Sequence, residues 1–76
     1  MNKILLVIYI LKLGKQIEVI FDERLSFNDN LMLLNELYCV GNIDAIKIFD
    51  GINAFYKKDV PIKNFEFKQF EKIYLL

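Results

Sequence analysis

Eight consecutive apolar residues, Ile4 to Leu11, are closed off by Lys12. A helix needs about 20 apolar residues to cross the hydrocarbon layer of a membrane, so a run of this length does not span one. A secretion signal can have so short an apolar centre, but it needs a small-residue cleavage site behind it, and the first alanine is Ala45. The run is rich in β-branched residues, with Ile4, Val7, Ile8 and Ile10 joined by Tyr9, and Gly14 punctuates its end. It reads as a β-strand buried on at least one face, which the rest of the chain must cover.

That cover can be followed along the sequence. "QIEVIF", residues 16–21, alternates as a second strand, and the short connection around Gly14 and Lys15 makes the pair an antiparallel hairpin. "DERLSFNDN", residues 22–30, is polar and turn-forming; Asn28 or Asn30 is the expected N-cap of a helix, with Asp29 favoured at the positive end of its dipole. The helix is expected from about residue 30 to near Gly41, with Leu31, Leu34, Leu37 and Tyr38 as its apolar stripe and Asn35 and Glu36 facing away. "AIKIFDG", residues 45–51, is a third strand, and "EKIYLL", residues 71–76, a fourth. No repeat, linker or low-complexity segment divides residues 1–76, which form one domain.

The composition argues against most chemistry. Ten basic and ten acidic residues cancel, so no global field draws the protein to nucleic acid or to an anionic membrane, and no direct membrane insertion is expected. Cys39 is the single cysteine and there is no histidine, which removes internal disulfides, cysteine-based zinc sites and most transition-metal sites. Cys39 is expected to act as a small hydrophobe on the helix. Acid–base catalysis would fall to carboxylates, and Asp22, Glu23 and Asp29 read as solvated groups of a strand-to-helix loop. Tyr56-Lys57-Lys58 mixes an aromatic with two cations, yet one such triplet in a neutral protein reads as an exposed loop. No catalytic residue, cofactor or metal is expected, and the chain is not expected to be an enzyme.

A β-hairpin with a Gly14-Lys15 turn, one helix, a third strand closing in Phe49-Asp50-Gly51, the segment Ile62-Lys63-Asn64-Phe65 and the last strand Ile73-Tyr74-Leu75-Leu76 together resemble the ubiquitin-like β-grasp fold over the whole chain. The resemblance implies an α+β fold in which a mixed four-stranded sheet carries one helix across one face. A hairpin followed by a crossover helix brings the last strand beside the first, in parallel, at the centre of the sheet. Ile17, Val19, Leu31, Leu34, Ile73 and Leu75 should then be core. Within this fold the chain is most similar to the small YukD/EsaB type proteins associated with type VII secretion in Gram-positive bacteria, which have about this length and a similar last strand. It departs from them at Glu66 and Phe70, where that group tends to carry glycine before the final strand.

The resemblance implies a cytoplasmic, non-catalytic protein-interaction module, an accessory or regulator of a type VII-like secretion system. Leu75-Leu76 stands where conjugated members of the fold carry a flexible Gly-Gly tail, so conjugation is not expected. The alternatives are a small non-catalytic subunit of a multi-component enzyme and a structural or phage-borne homodimer. Period-two alternation gives the first strand two faces, and aligning its turn with the ubiquitin pattern puts Leu5, Val7, Tyr9 and Leu11 under the helix, though a bulge would reverse the choice. Leu6, Ile8 and Ile10, extended by Ile20, Ile48 and Tyr74, would then form the open, protein-binding face of the sheet, used for a protein partner or for self-association.

Overall fold

The apolar run forms β1, Lys3–Ile10, in a computed structural model that describes residues 2–51 and 55–76. β2, Lys15–Asp22, returns antiparallel to it, with Leu6 opposite Val19 and Ile8 opposite Ile17. Between them the Leu13 and Gly14 N–H groups donate to the carbonyls of Ile10 and Leu11, and Gly14 takes a positive φ of 62°. Helix α1, Phe27–Tyr38, starts earlier than expected because Ser26, not Asn28 or Asn30, is its N-cap: the Ser26 Oγ accepts from the Asp29 N–H at 3.2 Å. Its end also comes early. The left-handed turn falls on Cys39, φ 51°, which is therefore an exposed cap rather than a buried helical hydrophobe.

β3 is only Ile48–Phe49, because the preceding Ile43–Ala45 segment winds into a 3₁₀ turn whose Asn42 side chain accepts from the Asp44 N–H. Phe55–Tyr56 forms a further strand, β4, and Glu71–Leu75 forms β5. The sheet is thus five-stranded and mixed, in the order β2-β1-β5-β3-β4. β1 and β5 run parallel, and the expected pairing of first and last strands inside the sheet is observed.

The helix-side core contains Ile4, Leu6, Ile8, Ile10, Phe21, Phe27, Leu31, Leu34, Ile48, Ile73 and Leu75, with Ile17 and Val19 half-buried against it. Leu37 is not part of it and is 77% exposed; the buried stripe of α1 runs Phe27, Asn30, Leu31, Leu34 and is continued by the half-buried Tyr38, four residues after Leu34. Asn30 is a buried polar residue with its partners in place. Its Oδ1 accepts from the Asp22 N–H at 2.9 Å, and its Nδ2 donates to the carbonyls of Asp22 and Ser26 at 3.1 and 2.9 Å.

The segment Ile62–Phe65 forms a 3₁₀ turn with Ile62 buried. Glu66 follows at φ 55° and Phe70 at φ 64°, both in the left-handed region where glycine is unstrained. The two departures from the resembled group therefore fall on backbone positions of the kind that glycine occupies most easily.

Candidate protein-interaction surface

The parity of β1 is opposite to the one expected from the turn alignment. Leu6, Ile8, Ile10 and Ile48 lie in the core, each 2% exposed or less, and offer nothing to a partner. Antiparallel pairing places directly opposed residues on one face, so the even residues of β1 share a face with Ile17, Val19 and Phe21. Every position in β1 from Ile4 to Ile10 is apolar, so β1 alone cannot choose a side. β2 can: its Gln16 and Glu18 lie on the parity of Ile20, away from the helix. Of the residues expected on the open face, Ile20 and Tyr74 do lie there.

The open face is built from Leu5, Val7 and Tyr9 of β1, Glu18 and Ile20 of β2, Lys72 and Tyr74 of β5, Phe49 of β3 and Phe55 of β4. One row of opposed residues crosses β1, β5, β3 and β4 and is aromatic throughout. Tyr9 stacks on Tyr74 with ring centroids 4.8 Å apart; Tyr74 stacks on Phe49 at 5.4 Å; Phe49 meets Phe55 at 5.5 Å. These spacings lie within the range in which ring pairs attract beyond simple burial. Phe55, at the end of the row, is 61% exposed. Gly51 rests against the row from beside β3: at φ 89°, a Cβ there would come within 2.7 Å of the Tyr74 ring, so glycine is required both by the backbone and by the contact.

Beside the ladder, Val7 is buried between Glu18 and Lys72 of the flanking strands, and Ile20 stands 64% exposed opposite Leu5. Charge of both signs borders the apolar centre. At the corner, Asp22 accepts from Arg24 through both carboxylate oxygens, at 3.1 and 2.9 Å, and from the Arg24 backbone N–H. These bonds, with the Arg24 charge and the nearby Lys3, hold the Asp22 carboxyl at a pKa of about 2. Among the described residues no helix lies over this face, since α1 packs on the other.

The remaining sequence candidates are dispersed. Tyr56 sits on the helix side, stacked edge-on to Phe65 and Phe67, and its hydroxyl pKa is raised chiefly by burial and then by the charges of Asp50 and Glu71. Lys58 donates to the carbonyls of Ile43 and Asp44 at 2.6 and 2.9 Å, which leaves Lys57 as the exposed cation of the triplet. Asp22 is engaged by Arg24, and Asp29 is an exposed first-turn residue of α1. No three metal-ligating side chains converge among the described residues, nor is any described helix long and apolar enough to cross a membrane.

No protein family and no curated protein matches the sequence. Solved structures do match its fold. The ubiquitin-like domain of an Arabidopsis thaliana protein superposes with a TM-score of 0.72 at 14% identity, over 100% of this chain and 78% of that one. The ubiquitin-like domain of the Mycobacterium tuberculosis type VII secretion system protein ECCD1 superposes with a TM-score of 0.67 at 12% identity, over 100% and 99% of the two chains. The chain has the ubiquitin-like β-grasp fold, with a five-stranded mixed sheet and one α-helix among the described residues.

Proposed function

We propose that this protein is a non-catalytic ubiquitin-like module that binds a protein partner through the open face of its sheet, as a cytoplasmic accessory of a type VII-like secretion system. The observation that carries the binding role is the aromatic row Tyr9-Tyr74-Phe49-Phe55, a contiguous set of large rings on a face that no described helix covers. Aromatic anchors surrounded by mixed charge are what a protein interface uses, because the rings supply apolar area at small entropic cost and the rim charges orient the partner. The secretion role draws support from the likeness to the ECCD1 domain, which is a likeness of fold.

The test is a titration of the isotope-labelled protein with cytosolic domains of the secretion-system membrane proteins of its own source organism, followed by NMR. Shifts confined to Leu5, Tyr9, Ile20, Phe49, Phe55 and Tyr74, together with loss of binding in Phe55→Ser, are the expected result. Binding left intact by Phe55→Ser and mapped to α1 would reject the face; no binding to any of these domains would reject the secretion role.

A further inference from the structure

Backbone hydrogen bonds alternate along a strand, one residue's N–H and C=O pointing to one neighbouring strand and the next residue's to the other. In β1 the Leu5 carbonyl accepts from Phe70, and the N–H of Leu11, just beyond the strand, donates to Leu75, so the odd residues face β5 and the even residues face β2. Because Leu6 is opposite Val19 and Ile8 opposite Ile17, the odd residues of β2 bond to β1. Gln16, Glu18, Ile20 and Asp22 consequently turn their N–H and C=O groups to the outer edge. Asn30 occupies both groups of Asp22. β2 is an edge of the sheet, and among the described residues no strand pairs with Gln16, Glu18 or Ile20 on that side. Above the edge runs an apolar groove lined by Val19, Ile20 and Phe21 of β2 and by Leu33 and Leu37 of α1.

We infer that a second copy of this chain occupies this edge, the two β2 strands pairing antiparallel about a two-fold axis perpendicular to the sheet. Opposed residues then share a face, both helices lie on the same side, and the grooves of the two copies flank the seam. Charge selects the register. Ile20, which borders the groove, can stand opposite Gln16, Glu18 or Ile20 of the second copy. The first choice sets Glu18 against Glu18; the last sets Glu18 against Asp22, and each opposes like charges. With Ile20 opposite Glu18, no like charges oppose, Val19 meets Val19 on the axis, and Lys15 of each copy comes toward Glu23 of the other. Glu18 and Ile20 then exchange their free backbone groups reciprocally. An open edge strand is a template for pairing, and here carboxylates block two registers while an ion pair at each end favours the third.

Sedimentation equilibrium across micromolar to millimolar concentrations should show a monomer–dimer equilibrium, weak because the seam is small. Glu18→Pro removes an outward N–H, a substitution that edge strands tolerate, and should weaken dimerisation by about tenfold or more. A second set of variants does not depend on proline being accepted: Lys15→Glu alone and Glu23→Lys alone should each weaken the dimer, and the two together should restore it. A monomer at every concentration overturns the inference. So does a dimer that the paired charge reversal fails to rescue, or one weakened by Phe55→Ser instead, which would place self-association on the open face.

Discussion

Phe27 and Tyr74 sit on opposite faces of the sheet, and each has aromatic neighbours on more than one side. Around Phe27 the rings of Phe21, Tyr56, Phe65 and Phe67 have centroids 5.8 to 6.3 Å away. Around Tyr74 those of Tyr9 and Phe49 lie at 4.8 and 5.4 Å, with Phe55 continuing the row. Rings meet on both sides, closer and more nearly parallel around Tyr74, but what decides their exposure is what stands above. α1 and the Ile62–Phe65 turn close over the first group and leave Phe27 fully buried; the second group ends in a phenylalanine that is mostly exposed. The same residue type holds the fold together on one face and remains available to a partner on the other. Covering, rather than composition, decides which ring cluster is buried and which is left exposed.

The largest expected effect is on the closed side. Phe27→Ala empties the centre of its cluster and should cost about 3–5 kcal/mol, most of the stability of a domain this small, read as a collapse of the urea midpoint. A smaller loss should follow Asn30→Ala, which leaves the Asp22 N–H without its partner, while the carbonyls of Asp22 and Ser26 keep the backbone N–H groups of Leu25 and residue 30: about 1–3 kcal/mol, measured by thermal unfolding. On the open face Phe55→Ser removes an exposed ring and should move the urea midpoint by less than about 1 kcal/mol equivalent, while abolishing partner binding. If it destabilised the fold as Phe27→Ala does, the contrast between the faces would be lost.

The smallest effect concerns pH. The Asp22 carboxyl is depressed in the folded state to about 2 from an ordinary value of 3.8, so its contribution to stability is present above pH 3.8 and is lost as pH falls toward 2. The Asp22–Arg24 pair is solvent-accessible and screened, so the change should be modest. Comparing acid unfolding of wild type with Asp22→Asn isolates it: the variant should lack that segment of the pH dependence.

Much of this architecture was legible in the sequence, and the misreadings have physical causes. The hairpin, the helix and the parallel pairing of first and last strands follow from apolar runs, turn residues and a single crossover. The strand Phe55–Tyr56 leaves no signal in the sequence because two residues carry no measurable period. The expected helix start falls late because Asn28 and Asn30 are also cap-forming types, while Ser26 with Asp29 three residues on satisfies the same rule earlier in the chain. The turn alignment picks the wrong face of β1, and the uniformly apolar pattern of that strand offers no correction, although β2 holds the answer in Gln16 and Glu18. The ladder itself joins four strands far apart in sequence, and only the register of the sheet makes Tyr9, Tyr74, Phe49 and Phe55 neighbours.

The most direct measurement compares two double variants on adjacent positions of the same strand. Leu6→Thr with Ile8→Thr introduces hydroxyls and cavities under α1; Leu5→Thr with Tyr9→Thr makes comparable changes on the open face, and threonine keeps strand propensity in both. Urea unfolding should show no cooperative transition for the first pair and a cooperative transition, shifted only moderately, for the second. The reverse outcome, an unfolded Leu5/Tyr9 variant beside a folded Leu6/Ile8 variant, would contradict the assignment of the two faces and with it the proposed binding surface.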